Sequence, residues 1–181
     1  MSKHFLTTSI VIVAALSAGC AATVQRTDPP GSPVSITVPA ESAKQVVLSM
    51  HLDPKHPQDA GWKSFKQEWI DIVQERALAQ GFKFAVQDGE PKPTGEAGTL
   101  MVVRVNDYRH VGIGSRMMFG IMTGNAFIDA KIEFRDLKAG MLYGERTYNT
   151  SSSAVHGVFA AVTPKQIYAI TDETLSEIKR R

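Results

Sequence analysis

An α+β fold, with a mainly antiparallel sheet of about five strands and two helices on one face, is predicted by three features of this 181-residue sequence. Ala126, Ile128, Ala130, Ile132 and Phe134 alternate with Phe127, Asp129, Lys131, Glu133 and Arg135, four of these five polar, as in a half-buried strand. Residues 62–80 repeat apolar side chains every three and four positions, as an amphipathic helix does. The flanking segments read as further strands and a closing helix, in the order β-α-β-β-β-β-α.

The N-terminal residues stand apart from this pattern. Lys3 and His4 make a short basic start, Phe5 to Ala15 a mainly apolar middle, and Leu16, Ser17, Ala18 and Gly19 a run ending at Cys20, the single cysteine. This is the layout of a secretory signal peptide, and Leu16 to Cys20 resembles the bacterial lipobox. The resemblance implies that the Cys20 thiol is diacylglycerylated, that the peptide is cut before it, and that Cys20 becomes the acylated first residue of a lipoprotein. Two other readings are an ordinary cut near Ala18 or Ala22 and an uncleaved anchor, since no charge occurs from Phe5 to Gln25. Thr7, Thr8, Ser9 and Ser17 dilute the apolar run, whose dense part is shorter than the roughly 20 residues of a spanning helix. Each acyl methylene contributes about 0.8 kcal/mol to attachment, so two or three chains hold a protein at the membrane. Ala21 follows the cysteine, where many inner-membrane lipoproteins carry aspartate, so the expected location is the outer membrane, on its periplasmic face.

From Ala21 to about Glu41 the chain is rich in Thr, Ser, Pro and Gly, with the run Asp-Pro-Pro-Gly-Ser-Pro at residues 28–33. It reads as a flexible tether with a reach of roughly 25 Å. The expected division is therefore a signal at 1–19, a tether at 20–42 and one α/β domain at 43–181.

Within that domain, Val46, Leu48, Met50 and Leu52 share one face of a strand, and Asp53 to Gly61 holds turn residues. The first helix carries Trp62, Phe65, Trp69, Ile72, Val73 and Ala77 inward and ends at Gly81. Strands are expected at Phe82 to Val86 and Thr99 to Tyr108, the first helix making the crossover between parallel neighbours. The strand at 126–135 turns through residues 136–140 into a hairpin partner at Met141 to Ser151. Thr163 as N-cap, Pro164 at the first helical position and Gln166 in a capping box open the last helix, whose inner face holds Ile167, Ile170, Thr174, Leu175 and Ile178.

Composition narrows the function. A formal charge of +2 gives no field for nucleic acid, and one cysteine cannot form an intramolecular disulfide. His51, Asp53, His56 and Asp59 fall close together, but Pro54 and Pro57 break the segment and no metal-ligand spacing is present, so it reads as a surface loop without metal. His110 and His156 read as solvated. Ser151, Ser152 and Ser153 lack the Gly-x-Ser-x-Gly elbow of a hydrolase. Gly112, Gly114, Gly120 and Gly124 fit neither dinucleotide nor phosphate-loop spacing, so no cofactor is expected. The segment Met117, Met118, Phe119, Ile121 and Met122 is apolar for a connection. It folds back over the sheet as core or, if exposed, is the partner or self-association surface, with Arg104, Arg109 and Arg116 at its rim.

Three segments, residues 100–118, 126–147 and 166–181, together resemble a family of proteobacterial lipoproteins known as domain of unknown function 4410. That family is similar in turn to the periplasmic α/β domains of the curli-secretion lipoprotein and the N-terminal part of TolB. The resemblance implies assembly or binding and carries no catalytic residues. No strand pair shows the lipid-facing bands of a membrane hairpin, which argues against a pore. The expected function is a non-catalytic periplasmic binding or assembly module held at the outer membrane through lipid on Cys20. The alternatives are a subunit of a homo-oligomeric envelope or secretion complex and an envelope hydrolase.

Overall fold

The computed structural model describes residues 23–28, 31, 35–109, 126–151 and 162–179. These residues build the expected α+β fold, two helices on one face of a mixed sheet, with one strand more than expected. The elements are β1 (Thr23–Arg26), β2 (Gln45–Leu52), α1 (Ala60–Ala79), β3 (Lys83–Val86), β4 (Thr99–Arg109), β5 (Phe127–Asp136), β6 (Leu142–Ser151) and α2 (Val162–Lys179). The sheet order is β1-β6-β5-β4-β2-β3. β1, β6, β5 and β4 are mutually antiparallel neighbours, whereas β2 runs parallel to both β4 and β3.

Local chemistry sets the ends of α1. Asp59 caps it by accepting the Trp62 amide at 3.0 Å. At the other end the Gly81 amide donates to Leu78 and the Phe82 amide to Ala77, a paired closure that needs the positive φ of +86° at Gly81. Phe82 then buries its ring and β3 begins, so β2, α1 and β3 form the expected crossover between parallel neighbours.

The core lies between the helices and one face of the sheet. Trp62 and Trp69 are buried, as their spacing predicts. Phe65 stacks on Tyr108 of β4 with ring centroids 4.5 Å apart and meets Trp69 edge-on at 5.5 Å. All five inner-face residues expected of the last helix are buried. That helix starts at Val162, and Gln166 donates to the Ala126 carbonyl at 3.3 Å, tying the helix to the start of β5.

The opposite face of the sheet is covered at one end by the connection from β3 to β4, which crosses β2. Its hinge is Gln87, whose side chain accepts the Lys92 amide at 2.8 Å and donates to the Lys92 carbonyl at 3.0 Å. The Thr94 amide donates to Leu137 at 2.8 Å. Val47, Leu100, Val102 and Leu137 are thereby buried as a second small cluster.

The expectation of a flexible tether at 20–42 is corrected by the described part of that segment. Every residue of β1 pairs with β6, from Thr23 opposite Ser151 to Arg26 opposite Tyr148. Farther on, Ile36 and Val38 belong to the main core at 2% and 5% exposure. Ile36 fits because it lies over Gly144, where an added Cβ would stand 2.9 Å from the isoleucine Cγ1. The folded domain therefore includes residues from Thr23 onward that the tether was expected to hold. No helix among the described residues is long and apolar enough to cross a membrane.

A tether residue would tolerate truncation within about 0.5 kcal/mol, whereas Ile36→Ala is expected to lower unfolding free energy by about 2–5 kcal/mol. Gly144→Ala alone overpacks the same contact and is expected to cost about 1–3 kcal/mol. Combined, the two should cost less than their sum, because the new methyl occupies the vacated space; urea unfolding of the four chains measures this.

Candidate functional site

The polar groups that sequence reasoning missed lie where the N-terminal arm crosses β6 and α2. Glu177 on α2 and Arg146 on β6 are both fully buried and pair at 3.3 Å. Glu177 also accepts the Ile36 amide at 3.2 Å and Arg26 Nη1 at 3.3 Å. Arg26 bonds Asp28 and lies 3.5 Å from Glu173, while Asp28 accepts the Thr147 amide at 3.2 Å and stands 3.7 Å from Arg146. Burial opposes the charge on Arg26, but its hydrogen bond to Asp28 and the Glu177 and Glu173 carboxylates outweigh it and raise its pKa. Beside them burial pushes the Tyr148 phenol far up, so this ring stays neutral. The cluster joins three distant stretches of chain, and its chemistry is that of a clamp: every charge faces an opposite one.

A second polar array lies on the sheet face away from the helices. Glu133 of β5 is 5% exposed and receives Arg104 at 3.0 Å and Arg135 at 2.7 Å, with Lys131 at 3.5 Å. Burial works against its ionisation, yet the hydrogen bonds from Arg135 and Arg104 hold its pKa below the ordinary carboxylate value. Lys131 also reaches Glu145 at 3.1 Å. Neighbouring His51 lies 2.9 Å from the Ser49 hydroxyl, and burial, aided by Arg104, lowers its pKa, so the ring is neutral at neutral pH.

The four residues weighed as metal ligands are separated by the fold. His51 bonds Ser49 on the sheet face, whereas His56 Nε2 donates to the Asn106 carbonyl at 3.1 Å. Asp53 accepts the Lys55 amide, and Asp59 caps α1. Among the described residues no group of three or more His, Cys, Asp or Glu side chains is placed to hold a metal ion. Arg104 belongs to the Glu133 array, and Arg109 ends β4 exposed. Ser151 ends β6. Cys20 with Leu16 to Gly19, the Met117 to Met122 segment, His110, Arg116, Ser152, Ser153 and His156 lie outside the described residues.

A groove of 680 Å³ runs between α1 and the first turns of α2, lined by Lys63, Gln67, Asp71, Glu75 and Tyr168 among others. Its acids are engaged locally: Asp71 accepts from Gln67 and Glu75 from Tyr168, both at 2.7 Å. Below it Arg76 grips Asp172 with two bonds of 2.6 and 2.7 Å, locking the helices together.

No family model matches the chain and no curated protein matches it in sequence, so membership of the 4410 family is not shown. Its fold is that of solved structures. One crystal form of the PelC dodecamer from Paraburkholderia phytofirmans superposes with TM-score 0.51 at 17% identity, covering 88% of this chain and 99% of that one. A second form, a PelC variant dodecamer, gives 0.49 at 16%, covering 88% and 98%. A Xanthomonas campestris protein of family DUF330 gives 0.42 at 13%, covering 85% and 90%.

Removing Arg146 takes from Glu177 its fully buried counter-charge and leaves the contacts to Arg26 and the Ile36 amide, so Arg146→Met is expected to cost up to about 3–5 kcal/mol. Arg146→Met with Glu177→Leu should recover part of that loss, read by denaturant unfolding. Glu133 tests the second array through pH. Its folded pKa lies below the ordinary 4.5, so its contribution is present above that value and disappears as pH falls through the folded one. Wild type and Glu133→Gln are expected to differ in thermal midpoint at neutral pH and to converge in acid.

Proposed function

We propose that this chain is a non-catalytic binding or assembly module of a bacterial envelope, held through lipid on Cys20 at the periplasmic face of the outer membrane. The observation that carries this reading is the placement of the N-terminal arm. β1 starts three residues after Cys20 and is clamped to the sheet and to the buried Arg146–Glu177 pair. An end of the chain that is built into the core can bear the load of an anchor. The lipobox-like residues Leu16 to Cys20 supply the chemistry of attachment. Among the described residues, three polar side chains of types common in catalysis are engaged structurally: His51 with Ser49, His56 with a backbone carbonyl, and Glu133 with three cations.

A second reading, a subunit that assembles with copies of itself, is favoured by the fold shared with PelC, a dodecamer. On this reading the Met117 to Met122 segment joins neighbouring copies. The two readings are compatible, since an anchored assembly module can work as a ring or as a monomer that recruits a partner.

Intact-mass measurement of the mature protein tests the anchor. The expected mass is that of residues 20–181 plus two or three acyl chains, and Cys20→Ser is expected to lose the added mass and leave the membrane fraction. A mature chain beginning at Ala21 or later without lipid would overturn the reading. Light scattering of residues 21–181 tests assembly: the expected wild-type mass is a multiple of the chain, with a folded monomer for Met118→Ser, Phe119→Ser. A monomeric wild type rules self-assembly out, and an unfolded variant marks the segment as core.

A further inference from the structure

Four strands present their ends in one cross-sheet row. Thr23 stands opposite Ser151, Ser151 opposite Phe127, and Phe127 opposite Arg109. At about 4.8 Å between strands this row is roughly 14 Å wide. Only Ala21 and Ala22 separate Cys20 from Thr23, so three residue steps, at most about 11 Å of extended chain, connect the thiol to the row. The headgroup layer on each side of a bilayer is itself roughly 5–8 Å deep.

We propose that this end of the sheet, the row formed by Arg109, Phe127, Ser151 and Thr23, is seated on the lipid surface, so that the membrane is a contact partner of the domain. This rests on the reading that Cys20 carries lipid. The arm cannot swing the domain away, because β1 is paired along its whole length and Thr27, Asp28 and Arg26 hold it to β6 and α2. The strand direction then sets the orientation. The turn at residues 137–140 follows Asp136, the other end of β5, which lies nine residue steps or about 30 Å from Phe127.

The chemistry at the row suits an anionic lipid interface. Arg109 is exposed there, and a basic residue near such a surface is attracted to it. The chain leaves the sheet at Arg109 and at Ser151, both in this row, and residues 110–125 and 152–161 contain no aspartate or glutamate. No carboxylate of those stretches would repel anionic headgroups. The proposed surface is the described row itself.

The test uses the full lipidated protein in vesicles of phosphatidylethanolamine and phosphatidylglycerol that carry a nitroxide quencher on the headgroup. Single thiols introduced by Arg109→Cys and, at the far turn, by Lys138→Cys are labelled with the same fluorophore; both positions are exposed. The expected result is loss of emission at 109 and retention at 138. Inserting about 20 Gly and Ser residues between Ala22 and Thr23 adds a reach of roughly 25 Å and should restore emission at 109. Equal emission at the two positions, or stronger quenching at 138, overturns the orientation. Intact mass of the same samples separates the premises: unmodified Cys20 defeats the anchor and the seating together, whereas lipidated Cys20 with equal emission defeats the seating alone.

Discussion

The buried carboxylate of Glu177 is the constraint on which the rest of the architecture depends. A charge removed from water is costly unless it is matched, and this one is matched by groups from two regions remote from it in sequence, the N-terminal arm and β6. Arg146 places β6, the Ile36 amide places the N-terminal arm, and the helix that carries Glu177 closes the core. Replacing the cluster with apolar groups of the same shape would fill the space equally well. What the charges add is selectivity, since a register shift of β1 or a rotation of α2 would leave one of them alone in a dry interior.

Around that cluster the remaining interactions divide by layer. Between helices and sheet, packing dominates: Trp62, Phe65, Trp69 and Tyr108 form one aromatic body, and Arg76 with Asp172 pins the helices at the surface. On the opposite face the covering layer is a connection rather than a helix. Among the described residues, Val47, Leu100, Val102 and Leu137 form the buried cluster of that face, and beside it stands the charged array centred on Glu133.

The proposed attachment at Cys20 would link fold and anchor mechanically. A lipid attached through a long loose chain would leave a domain free to tumble, whereas an attachment that passes directly into a paired strand transmits position and orientation. Thr23 stands three residues after Cys20 and β1 is paired with β6 along its length, so the seating we propose would give the domain a lipid-proximal end and a distal end.

The helices, four of the strands and the alternation of β5 were legible in the sequence because each follows a local rule. Apolar spacing names the buried face, Gly81 marks the end of α1, and Asp136 to Gly140 mark a turn; the Asp59 cap emerged only in the structure. The lipobox-like run before Cys20 is equally local. The N-terminal arm was not legible, because Pro, Gly and Ser between residues 28 and 33 mask the alternation of Val34, Ile36 and Val38, and because β1 is a strand only where β6 offers its edge. Nor was the buried cluster. Glu177 stands seven residues after Ile170, a position that spacing assigns to the inner face, but a glutamate there reads as solvated until Arg146 and the Ile36 amide are seen to meet it. By itself the sequence determined most of the elements, which are functions of neighbouring residues, and it carries the lipobox-like run Leu16 to Cys20. The tertiary structure alone decided that Thr23, Ser151, Phe127 and Arg109 end in one row and which charges are buried, because those depend on long-range pairing that no local pattern encodes.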